Sequence, residues 1–155
     1  MRPVNEWLDE YAESHQNPTN KLLHWICVPV IVISVIGILW ALPVPAVFDK
    51  ISPALNWGTA MLAMAVVYYL FLSVPLALGM IVVSLAVTSL LRWLDSQAVP
   101  LWQLSLVAFV SAWVGQFVGH RVEGRKPSFL KDVQFLLIGP MWLLGHVYRR
   151  LGWRI

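Results

Sequence analysis

The residues of this chain that could do chemistry are its four histidines, and two of them stand close together near the start. His15 and His24 bracket the stretch Ser14-His15-Gln16-Asn17-Pro18-Thr19-Asn20-Lys21-Leu22-Leu23-His24, at the mouth of the first hydrophobic run. His120 follows the fourth apolar segment, and His146 lies within the last apolar run. Imidazole is the commonest transition-metal ligand, and burying it in apolar surroundings without a partner costs free energy. Histidines with one carboxylate and open coordination positions make a recurrent non-haem iron site for oxygen chemistry. Glu123 offers the carboxylate: it follows His120 by three residues and shares its face if the helix continues that far. Asn17, Asn20 and Gln134 are of the type that orients ligands by hydrogen bonding. Each residue also has a plainer role. His15, His24 and His120 could be polar anchors at a membrane surface, His146 stands among interfacial Tyr148 and arginines, and Glu123 could pair with Arg121 or Lys126.

The elements that would position these side chains are membrane helices. Of the 155 residues, 59% are hydrophobic and 12% charged, with a mean hydropathy of +0.70, far from the averages of soluble domains. Uncharged runs cover residues 25–48, 51–91 and 96–119, and Pro75 divides the middle one. This gives four segments near the ~20 residues needed to cross the hydrocarbon core. The expected fold is all-α: a polytopic helix bundle of four spans, with an N-terminal amphipathic helix and a short C-terminal re-entrant or interfacial helix, forming one membrane-embedded domain over residues 1–155.

In chain order, Val4, Trp7, Leu8 and Tyr11 recur at helical spacing among acidic residues, which describes an interfacial helix ending at His15. Those acidic residues also exclude a signal peptide. Asn17 can cap a new helix whose first residue is Pro18. The break matters, because on one unbroken helix His15 and His24 would point to opposite sides. Span one is expected over residues 21–42, with a kink or rearrangement at Pro29. Spans two and three, 54–72 and 75–93, are antiparallel neighbours across a very short link, and span four covers 101–119. Ser128 can cap a last helix from about Phe129. Its uncharged part, residues 133–148, is only ~24 Å long and is interrupted at Gly139-Pro140, so it is not expected to cross. The lone Cys27 has no partner for an internal disulfide.

Charge sets the sidedness. With four crossings, Arg2, Lys21, Arg121, Arg125, Lys126, Lys131, Arg149, Arg150 and Arg154 share one side and only Lys50 and Arg92 the other. The positive-inside rule then puts both termini and all four histidines at the cytoplasmic face of a bacterial inner membrane or endoplasmic reticulum. The net charge of +3 flanks the spans and gathers no patch for nucleic acid, so no nucleic-acid partner is expected. Membrane lipid is a partner by composition, and the oligomeric state is open.

His15-Gln16-Asn17-Pro18-Thr19-Asn20 with His24, joined to Gln116-Phe117-Val118-Gly119-His120, Glu123 and Lys126-Pro127, resembles the yeast 2-hydroxy fatty acid dioxygenase family, which serves phytosphingosine breakdown to odd-chain fatty acids. The resemblance covers nearly the whole chain. It implies an Fe(II)-dependent α-oxidation in which a 2-hydroxy long-chain fatty acid and O2 give the acid one carbon shorter, CO2 and water. That balance closes without an external reductant. The family's histidines fall on His15, His24 and His120, with Asn20 and Glu123 in the surrounding motif. We add His146 to the metal set by inference, and Arg121, Arg125 or Lys126 as neutralisers of the substrate carboxylate. The alkyl chain would lie between the spans. Two other classes use the same residues: a zinc-dependent membrane hydrolase with Glu123 as general base, and a non-enzymatic membrane scaffold or transporter.

Overall fold

The first long helix starts where its sequence dictates. Asn17 is extended at its cap position, and its Oδ1 accepts from the Thr19 N–H at 2.9 Å and the Asn20 N–H at 3.5 Å. Pro18 fills the first helical position, where a missing N–H does no harm. The structure, a computed structural model, describes residues 17–124 and 138–153. Its helices are α1 (Pro18–Trp40), α2 (Ala46–Ile51), α3 (Trp57–Leu72), α4 (Val74–Asp95), α5 (Leu101–Glu123) and α6 (Ile138–Arg150). No strand occurs among the described residues. The interfacial helix expected around Val4 to Tyr11, His15 and the expected helix start at Phe129 lie outside them.

The all-α membrane bundle is borne out. Helices α1, α4 and α5 are each long and apolar enough to cross a bilayer. Helix α3 is shorter than the second span expected from residue 54. Its 16 residues reach about 24 Å at 1.5 Å per residue. The delay has a local cause: Asn56 and Thr59 form a reciprocal capping box, with Thr59 N–H donating to Asn56 Oδ1 at 2.9 Å and Asn56 N–H to Thr59 Oγ1 at 2.8 Å. Helix α2 was not anticipated from the sequence. It follows Pro43-Val44-Pro45, and the Trp57 indole N–H donates to the Pro43 carbonyl at 3.1 Å, closing the loop over it. Pro29 withdraws one N–H from α1 without ending it.

Helix α1 is central. It packs along α5, while its other sides meet α3 and α6; α4 packs against α3 and α6. The α1–α5 pair is antiparallel, since Gly37 meets Ser105 at one end and Asn17 and Asn20 meet Glu123 at the other. Only Ser73 joins α3 to α4, and it serves both: its N–H closes α3 on the Tyr69 carbonyl at 2.8 Å, and its hydroxyl accepts from Leu76 N–H at 3.5 Å. The last helix is fastened to this hairpin by Tyr148, whose hydroxyl donates to the Pro75 carbonyl at 2.9 Å, and by Met141 and Trp142 packed with Tyr69, Leu76 and Met80. A second core joins Ile36, Leu62, Val87, Leu91 and Leu101. Outside these cores, Leu22, Phe71, Val82, Val107 and Val114 are largely exposed. Hydrocarbon solvates such a surface at no cost, whereas water would not.

Candidate metal centre

The site is assembled where the start of α1 meets the end of α5. Helix α5 continues past Gly119 to Glu123, so His120 and Glu123 share one helix, and Gly124 ends it in the left-handed conformation (φ 72°) that glycine adopts freely. Glycines also set how closely the two helices approach. A methyl group on Gly115 would come within 2.6 Å of Cys27 Sγ, and one on Gly119 within 2.5 Å of Asn20 Oδ1. Without those methyls, Gln116 and His120, each the residue after one of the glycines, are buried between the helices.

Two of the expected ligands are brought together there. His24 and His120 are 5% and 8% exposed, and their rings meet edge to face with centroids 5.3 Å apart and planes at 88°. Two imidazoles bound to one metal at ~2.0–2.1 Å per nitrogen have centroids about 4.5–5.2 Å apart at tetrahedral to octahedral angles. The observed spacing is close to that, and the pair fits a shared ion with little movement. Among the described residues no third His, Cys, Asp or Glu joins the pair as a metal donor.

Glu123 is engaged differently. Its carboxylate accepts from the Asn17 N–H at 3.0 and 3.2 Å and from Asn20 Nδ2 at 2.9 Å. A negative group at the N-terminus of α1 also complements that helix's dipole. Asn20 is fully buried, and with its Nδ2 committed to Glu123 its Oδ1 has no hydrogen-bond partner among the described residues. Gln116, one helical turn before His120, is 4% exposed, and both its amide atoms are unpartnered among the described residues. Sequence reasoning quoted Gln116 in a motif but gave it no role; its signal was a polar amide four residues from a histidine inside an apolar run. Arg121 is exposed in the last turn of α5.

His146 is placed elsewhere. Its ring meets Trp25 edge to face at 5.3 Å and Trp142 at 6.3 Å, so the described geometry does not group it with His24 and His120. Burial, then the charges of Arg150, Arg149 and Lys21, hold its imidazole below the ordinary pKa. On the side of α1 that meets α4 and α6, Trp25 opens an apolar cavity of about 290 Å³ running past Pro29 and Ile36 of α1, Met80 and Val87 of α4, and Pro140 and Leu144 of α6. Pockets for small ligands begin near ~300 Å³.

The likeness to known proteins spans both histidine-bearing stretches. A family described as "Mpo1-like: 2-hydroxy-palmitic acid dioxygenase Mpo1-like" matches residues 1–151. The chain belongs to the Mpo1-like family. Within it, the 2-hydroxy-palmitic acid dioxygenase MPO1 of Saccharomyces cerevisiae is 28% identical over 144 residues, covering 92% of this chain and 78% of the yeast protein. No solved structure matches. The Mpo1-like match thus includes His15, which lies outside the described residues, as well as His24, His120 and His146.

Proposed function

We propose that this chain is an Fe(II)-dependent dioxygenase that converts a 2-hydroxy long-chain fatty acid and O2 into the acid one carbon shorter, CO2 and water. The observation that carries the proposal is the buried His24–His120 pair at a spacing close to that of two ligands of one ion, in a chain of the Mpo1-like family. Imidazole nitrogen suits iron, and the unpartnered Asn20 Oδ1 and Gln116 amide beside the pair leave polar valences for further groups at such a centre. His24 and His120 would hold the metal together with His15, and iron(II) when bound supplies the activation of oxygen.

The remaining residues have distinct tasks. Glu123 and Asn20 lock the first turn of α1 to the last turn of α5 and so hold the two imidazoles at their spacing. Arg121, exposed beside His120, draws in the substrate carboxylate by its charge. The cavity behind Trp25 takes the alkyl chain and keeps water from it. His146 is not a ligand in this reading; it packs the Trp25–Trp142 wall. The histidine face and both termini lie in the cytoplasm, which a reporter fused after Ile155 would read directly.

The test is stoichiometry. Purified protein given a 2-hydroxy long-chain acid should consume one O2 for each CO2 released and leave the shortened acid, with no 2-oxo acid or nicotinamide added. Turnover that is independent of oxygen would contradict the proposal.

A further inference from the structure

We propose that Gln116 reads the head group of the substrate, donating from Nε2 to the carboxylate and accepting at Oε1 from the 2-hydroxyl, so that this one amide selects 2-hydroxy acids over unsubstituted ones. The assignment rests on the function proposed above. Gln116 is 4% exposed and neither end of its amide has a hydrogen-bond partner among the described residues. A buried amide left empty at both ends costs stability that a leucine or methionine at the same place would not. Among the described residues it bonds to no imidazole, so it orients none of them.

Its position is that of a substrate contact. Gln116 lies one turn from His120 on the buried side of α5, and the adjoining Gly115 is pressed against Cys27, one turn along α1 from His24. The amide is therefore one turn deeper between the helices than the histidine pair. Asn20 Oδ1, also unpartnered, stands one turn to the outer side.

The chemistry of the amide narrows the ligand. It presents one donor group and one acceptor side by side. A 2-hydroxy carboxylate presents the complement from adjacent carbons: an acceptor in the carboxylate and a donor in the hydroxyl. An unsubstituted carboxylate fills only the donor side and leaves Oε1 buried and empty. Sites built to bond a substrate hydroxyl reject the analogue lacking it far more strongly than apolar pockets separate a methylene.

The experiment is calorimetric binding of 2-hydroxypalmitate and palmitate to the purified protein in detergent, without oxygen so that nothing turns over. Wild type should prefer 2-hydroxypalmitate, and Gln116→Met should cut that preference by about ten-fold or more. A preference intact in Gln116→Met overturns the role of Gln116 and leaves the proposed function standing. Wild type binding both acids equally, or neither, overturns the proposed function and the role of Gln116 with it. If Gln116→Met does not fold, Gln116→Asn, which keeps the amide but draws it back by one methylene, is read the same way. A residue that only packs the helices would change both affinities together and leave their ratio alone.

Discussion

The side-chain amide of Asn20 donates to the carboxylate of Glu123 across 2.9 Å, joining the first turn of α1 to the last turn of α5. The same carboxylate accepts from the Asn17 N–H, so one charged group caps a helix and clamps two chain segments more than a hundred residues apart. The histidines that follow Asn20 and precede Glu123 are held by this clamp.

Removing the clamp should loosen the centre before it touches the chemistry. Hydrogen bonds to charged groups contribute about 1.5–3 kcal/mol, so Glu123→Ala is expected to lose about that much stability and Glu123→Gln clearly less. Chemical unfolding in detergent, run beside iron content, measures both. If Glu123→Gln abolishes turnover at unchanged stability and metal content, Glu123 is a reacting group, as the zinc hydrolase reading requires.

Acid should weaken the packing of α6. The pKa of His146 is lowered in the folded chain, first by burial and then by Arg150, Arg149 and Lys21. Below the unfolded value of about 6.5, the unfolded chain takes up a proton that the folded chain resists. The contribution of neutral His146 is therefore complete above about pH 6.5 and is lost as the pH falls through the lower folded value. The melting temperature of His146→Gln should vary less between about pH 5 and 7 than that of wild type. Parallel curves for the two proteins would show that His146 carries none of this dependence.

The cavity should set the preferred chain length. Each methylene transferred from water contributes about 0.8 kcal/mol, a rise of roughly four-fold in kcat/KM per carbon until the space is full. Val87→Phe puts a larger side chain on the cavity wall and should shift the optimum to shorter acids, with little change for acids that do not reach it. Equal activity on short, water-soluble 2-hydroxy acids and long ones would place the tail elsewhere.

Much of this arrangement was legible because the cues were local. Asn17-Pro18 marks a helix start by capping chemistry alone, and the uncharged runs mark α1, α4 and α5 by length and composition. What escaped depended on partners distant in sequence. Helix α2, six residues long, has no periodicity to read and is closed over by Trp57. His146 shares its type with the other histidines, but it turns to Trp25 and Trp142, and composition holds no sign of which aromatic ring it will meet. Glu123 was read as a ligand, a base or a salt-bridge partner. Its bond to the backbone of Asn17 becomes visible only when α1 and α5 are side by side.

Metal content read against the two buried histidines tests the central claim most directly. Protein purified without chelator should carry one iron per chain, and His24→Ala and His120→Ala should each lose that iron together with oxygen uptake on a 2-hydroxy long-chain acid, while remaining folded by circular dichroism. Iron retained at wild-type level in both variants, or zinc in its place with turnover indifferent to oxygen, would contradict the account.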